Sequence, residues 1–320
     1  MKEPIFLSPV FKDYIWGGKQ LNEIFHKNSP YEITAESWEI STNPDGTSKI
    51  KNGTLENKSL EEVFQNAETR VEIFGSKTKQ MDKFPLLIKF IDASSNLSVQ
   101  VHPDDAYAFQ KENGQQGKTE MWYIMECKPG AKIICGMKEG CKQEEVTSII
   151  KNGKIEENLN YVDVQKGDCI YIPAGTIHAI LGDTLICEVQ QNSNLTYRVY
   201  DWGRVGKDGK PRQLHVEKAI DVIKVDNRPV VNHTANQKET ERNIMSSPFF
   251  ETSKVVIEHQ WEDITNLETF YAFNVVSGNG ILKTQNAQYK LKLGDSFILP
   301  ASLGKYKIEG KIDLLKTYIK

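Results

Sequence analysis

Beyond residue 85 the chain is a succession of short segments rich in β-branched and aromatic residues: 121–125, 132–136, 168–173, 184–190, 196–201, 271–276, 289–293, 295–300 and 313–319. Each is a few residues long and bounded by Gly, Pro, Asn or Asp, which is the pattern of strands. Helical patterns are fewer. They cover 60–67, behind Ser59 with Glu62 completing a capping box, 105–112 behind Pro103 and Asp104, 142–151 and 216–223. The pattern therefore predicts a mainly β protein with a few peripheral helices. The stretch 232–242, NHTANQKETER, has no apolar periodicity and reads as a linker between units 1–231 and 243–320. The octet 167–174, GDCIYIPA, is echoed by 294–301, GDSFILPA, as the same glycine turn, strand and proline exit, which suggests two related β units.

Composition narrows the function. The 320 residues make about two ordinary domains, enough to bury cores without disulfide or metal staples. With 40 Lys+Arg against 43 Asp+Glu and no basic block, the chain lacks the positive face that nucleic acid or a membrane surface demands. No apolar run approaches the roughly 20 residues of a membrane span, and 1–18, with Glu3, Pro4, Pro9 and Asp13, has no leader pattern, so a cytoplasmic location is expected. The five cysteines contain no CxxC pair and read as free thiols.

Three segments carry the chemistry. If 97–103, LSVQVHP, is a strand, period two puts Ser98, Gln100 and His102 on one face and Val99 and Val101 on the other. In 118–123, KTEMWY, the same alternation places Lys118 beside Glu120. The third is a strand closed by Pro173, a turn using Gly175, and His178. Taken singly, each residue is more often an ordinary polar side chain. Together they reproduce the ligand order of a cupin, a double-stranded β-helix barrel, in which a divalent cation gives buried polar groups a reason to converge. An N/O donor set without sulfur suits zinc, with manganese, iron or cobalt left open, and room for a further ligand makes the site catalytic. One carboxylate against a divalent cation leaves about one positive charge, which favours an anionic ligand. Alternation also turns Arg198 to the face of Thr196 and Tyr200, where an anion would meet it, whereas Arg204 reads as an ion-pair partner of Asp201.

With Trp16-Gly17-Gly18, Glu36-Ser37-Trp38, 97–104 (LSVQVHPD), 118–123, 172–179 (IPAGTIHA) and 197–201 (YRVYD), the chain resembles the type I mannose-6-phosphate isomerases in their short bacterial form. That resemblance implies two cupin-type jelly-roll barrels and an aldose–ketose isomerase of mannose 6-phosphate and fructose 6-phosphate. It implies one zinc per chain on Gln100, His102, Glu120 and His178, with Arg198 as the catalytic arginine. Lys118 is the candidate acid/base, since a cation nearby makes a lysine readier to release its proton. Lys89 and Ser98 are candidate substrate contacts. The helical domain that longer members insert before the second histidine is absent or reduced to 142–151. In the second unit the echo sets Lys305 opposite His178, so no metal is expected there. His26, His215, His233 and His259 have no ligand-spaced companions. The partner is a hexose 6-phosphate, and the chain is expected to act as a monomer or small homo-oligomer. A cupin oxygenase, an isomerase of another sugar phosphate and a sugar-binding module without turnover remain the competing readings.

Overall fold

The computed structural model describes residues 1–206 and 209–320. The first unit is a pair of facing sheets, open at their edges. One has seven strands in the order Val230–His233, Asp168–Ile172, Glu120–Cys127, Thr184–Gln191, Leu86–Ala93, Glu36–Ile40 and Val10–Lys12. The other has five, in the order Leu159–Asp163, Lys132–Met137, His178–Ile180, Val99–Val101 and Tyr197–Tyr200. Between them lies a core of Ile91, Trp122, Ile124, Ile133, Ile170, Ile180 and Ile186. Alternation along Glu120–Cys127 sends Trp122 and Ile124 into this core and Met121, Tyr123 and Met125 to the opposite face, against Phe90, Val189, Phe250 and Leu315. The outer face of the five-stranded sheet, with Val99, Val101, Tyr197 and Val199, is covered by Val146 and Ile150 of the helix Val146–Lys151 and by Ala219 and Val222 of the helix Val216–Val222.

The second unit is a nine-stranded sheet assembly around its own core of Val255, Phe273, Phe297, Ile308 and Leu314. The echo seen in sequence is a true structural repeat. The order Leu86–Ala93, Thr184–Gln191, Glu120–Cys127, Asp168–Ile172 recurs as Phe250–Ile257, Lys305–Ile319, Tyr271–Lys283, Ser296–Leu299. Glu120 pairs with Ile172 in the first unit and Tyr271 with Leu299 in the second, so a tyrosine stands in the register position of the carboxylate.

Three features differ from the sequence expectation. The unit boundary is crossed by the N-terminus: Ile5–Ser8 pairs with Ser296–Leu299, with Ile5 opposite Ile298, so residues expected in the first unit complete the second unit's sheet. Within the expected linker 232–242, Asn232 and His233 end a strand paired with Asp168–Ile172, and Glu241 and Arg242 begin one paired with Phe250–Ile257, leaving 234–240 between them. The polar composition hid both strands because their side chains are mostly exposed. The capping box at Ser59 and Glu62 forms, but its helix stops at Gln65, and Asn66 caps a second one, Ala67–Phe74.

Candidate metal centre and active site

The strand Val99–Val101 lies inside its sheet between His178–Ile180 and Tyr197–Tyr200, and Gln100 lies directly across from His178 on one side and from Arg198 on the other. His102 follows the strand. The turn that brings His178 alongside depends on Gly175, whose backbone has φ 88° and whose N–H donates to the His102 carbonyl at 2.8 Å. Any side chain there would sit 2.8 Å from the Val222 carbonyl oxygen. From the facing sheet, Glu120 enters at the start of its strand, opposite Gln190.

These residues converge. His102 Nε2 lies 3.6 Å from Glu120 Oε2, and His178 Nε2 lies 3.5 Å from Glu120 Oε1. One ligand atom from each of the three falls within 4.8 Å of the others, and all three residues are buried. The Gln100 amide borders the same point, 3.4 Å from His178 Nε2. The Nδ1 atoms of His102 and His178 are each 2.8 Å from a carbonyl, of Leu195 and Thr176, so each Nδ1 donates and each Nε2 is an unprotonated acceptor turned to the cluster, where it meets the Lys118 ammonium at His102 and the Gln100 amide nitrogen at His178. Burial, then the Lys118 charge, lowers the His102 pKa well below that of an ordinary imidazole; for His178, burial is the main cause of a fall to about 4. Both rings are therefore neutral donors at pH 7. Burial and the neighbouring Glu188 charge push the Glu120 carboxyl up to about 7.

The cluster fits a divalent cation. Glu120 Oε1 has no hydrogen-bond donor, and Oε2 meets only the Lys118 ammonium, as an ion pair at 2.7 Å. A wholly buried carboxylate left this poorly satisfied is costly unless a cation faces it. Two neutral imidazole nitrogens and a carboxylate are a suitable set for such an ion.

Lys118 also stands 3.0 Å from His102 Nε2, at the edge of the cluster. Together with Gln100 it lines a cavity of about 230 Å³ whose wall includes Tyr14, Trp16, Glu36, Lys89, Ser98, Glu188, Asn194, Thr196, Arg198 and Arg212. Every residue singled out from the sequence thus lies in the cluster or along this cavity. Lys89 is buried on its floor, 3.2 Å from Glu188 and 3.7 Å from Glu36. Burial alone would lower its pKa, but Glu36 and Glu188 outweigh burial and raise it. Burial likewise works to raise the Glu188 carboxyl, and Lys118 and Lys89 overcome it to hold it low. Among the described residues Arg198 meets no carboxylate: Nε donates to Ser98 Oγ at 3.3 Å and Nη1 to the Gln213 carbonyl at 2.7 Å. Among the described residues, its positive charge is the one on the cavity wall left without a direct ion pair.

Sequence reasoning missed Glu36 and Glu188 as the partners of Lys89, and missed Arg212. A charge at Glu188 inside the apolar run 184–190 was the available signal for the first pair; Arg212 sits in a polar loop with no periodicity to mark it. A wider groove of about 820 Å³ lies on the second unit, lined by Phe6, Ile281, Tyr289 and Leu291, and it contains none of these residues. Its Lys290 and Lys292 are on an edge strand, where lysine guards against sheet addition.

Comparison with known proteins agrees in both units. Residues 5–133 match the family pattern described as phosphomannose isomerase type I, catalytic domain, and residues 240–319 that of the mannose-6-phosphate isomerase cupin domain. The chain is 40% identical to the probable mannose-6-phosphate isomerase GmuF of Bacillus subtilis over 99% of this chain and 100% of that protein. It is 37% identical to mannose-6-phosphate isomerase ManA of the same organism, over 99% of each. The crystal structure of the mannose 6-phosphate isomerase from Bacillus subtilis superimposes with a TM-score of 0.88 at 37% identity, covering 99% of both chains.

Proposed function

This chain belongs to the type I phosphomannose isomerase family and interconverts mannose 6-phosphate and fructose 6-phosphate, and from that premise we propose how its residues divide the work. Gln100, His102, Glu120 and His178 hold one zinc ion per chain; the observation that carries this is the buried Glu120 carboxylate between two neutral imidazoles. Zinc supplies Lewis-acid stabilisation of negative charge on the sugar oxygens. Arg198, next to Gln100 in the ladder and without an acidic partner among the described residues, supplies a second positive charge where the enediolate develops.

Lys118 carries the proton between C2 of the aldose and C1 of the ketose. Its ammonium lies within hydrogen-bonding reach of the cluster and lines the cavity, which supports that role. Ser98 and Lys89 contact the sugar. Lys89 is already neutralised by Glu36 and Glu188, so it orients hydroxyl groups, while the anionic end of the substrate meets the edge of Arg212 that its ion pair with Asp201 leaves open. The enzyme works in the cytoplasm as a monomer or small homo-oligomer.

Turnover in D₂O tests the assignment. Deuterium is expected at C1 of fructose 6-phosphate and at C2 of recovered mannose 6-phosphate. Lys118→Met is expected to abolish this exchange while the metal stays bound. Exchange that persists in Lys118→Met removes Lys118 from the proton path.

A further inference from the structure

Resting on the reading that the anionic end of the substrate meets Arg212, we infer that Asp201 is a positioning residue that fixes Arg212 over the cavity and ties it to the strand Val99–Val101. Asp201 follows directly on Tyr197–Tyr200, the strand paired with Val99–Val101, and is only 6% exposed. Its carboxylate is shared by two guanidinium groups. Arg212 donates through Nε to Oδ2 at 2.8 Å and through Nη2 to Oδ1 at 2.5 Å, the two-pronged arrangement that fixes a guanidinium in plane. Arg204 donates through Nη2 to Oδ1 at 2.6 Å.

The two arginines lead in different directions. Arg204 also donates through Nη1 to the Asn96 carbonyl, and the neighbouring Trp202 Nε1 donates to the Leu97 carbonyl at 2.6 Å. Both anchors lie immediately before Ser98 and Gln100 in the chain. Arg212, by contrast, lines the cavity. The Asp201 carboxylate therefore links the position of the strand Val99–Val101 to that of Arg212, and so sets the distance between the reacting end of the sugar and the cation that receives its other end.

Asp201 also opposes a repulsion. Arg198 and Arg212 are close enough for their charges to disfavour one another, and Arg204 adds a third positive charge to the group. With Asp201 occupying the Nε and Nη2 edge of Arg212, the Nη1 edge is the part available to a ligand. Without that carboxylate, nothing in the described contacts would hold Arg212 against Arg198.

Steady-state kinetics with inorganic phosphate as a competitive inhibitor test the inference. Asp201→Asn keeps the shape but turns an amide N–H toward a guanidinium. In the full-length metal-loaded enzyme it is expected to raise KM for mannose 6-phosphate and Ki for inorganic phosphate in parallel, by about tenfold. Its kcat and metal content should stay within about twofold of the parent, a split that general loosening of the fold would not give. Arg212→Ala should show the same pattern. If Arg212→Ala raises both constants and Asp201→Asn raises neither, the positioning role of Asp201 falls. If Arg212→Ala leaves both unchanged, the reading of the cationic rim itself falls. Should Asp201→Asn fail to fold, Asp201→Glu, which keeps the charge and moves it by one methylene, must give the same rise in both constants; unchanged constants there overturn the inference.

Discussion

Replacing Lys89 with methionine removes a buried cation while keeping most of the side chain's volume. In the parent, Lys89 is 4% exposed and its ammonium sits 3.2 Å from Glu188 and 3.7 Å from Glu36, themselves nearly out of reach of water. The variant strands two carboxylates rather than one. Each keeps a single indole donor, Trp38 Nε1 to Glu36 at 2.5 Å and Trp122 Nε1 to Glu188 at 3.0 Å, which offsets part of the loss. Breaking a buried ion pair costs about 3–5 kcal/mol, and the retained indole contacts place this variant near about 3 kcal/mol. Equilibrium urea unfolding followed by tryptophan fluorescence measures it, with an unchanged dependence on denaturant. Adding Glu188→Gln to Lys89→Met should restore at least about 1 kcal/mol, because one stranded charge is gone. A Lys89→Met loss below about 1 kcal/mol, or a double variant with strictly additive losses, would refute the claim that these three charges form one unit.

Other consequences follow from the same geometry. Arg198→Ala should retain its metal and lose about 10²–10³-fold in kcat, whereas His102→Ala should lose the metal; equal metal loss in both, read by elemental analysis, contradicts the division of roles. Zinc binding to the stripped protein should release about one proton at pH 6 and close to none at pH 8. The reason is that Glu120, raised to about 7, is protonated in the free protein at the lower pH, while His178, lowered to about 4, is not. Calorimetry in buffers of different ionisation enthalpy counts these protons, and a release near two at pH 6 would mean that the histidines titrate as exposed ones do. Gly175→Ala should destabilise the protein by about 1–3 kcal/mol, since it forces a side chain into φ 88° and 2.8 Å from the Val222 carbonyl, and thermal unfolding reads the loss.

The convergence of Gln100, His102, Glu120 and His178 was legible because period-two alternation on an antiparallel sheet is a strict geometric rule. Val99 and Val101 do share the face opposite Gln100, as the spacing implied, and the sheet then sets Gln100 across from His178. The strand Leu86–Ala93 was harder to recognise: both its faces are buried, so no alternation marks it, and only Lys89 and Asp92 interrupt an apolar run. The pairing of Ile5 with Ile298 joins opposite ends of the chain, and no local pattern carries such information. Likewise the partners of Lys89 come from two other strands, Glu36–Ile40 and Thr184–Gln191, which become its neighbours only when the sheet assembles. The repeat between units could be read from one octet, and the register then explains why the second copy differs, with Tyr271 where the first has Glu120.

The most direct measurement is a coupled assay of fructose 6-phosphate formation from mannose 6-phosphate by chelator-stripped protein titrated with zinc. The account predicts no turnover in the stripped protein and a linear recovery that saturates at one zinc per chain, with Glu120→Gln failing to recover at the same zinc concentrations. Full turnover by the stripped protein, or recovery in Glu120→Gln equal to the parent's, would contradict it.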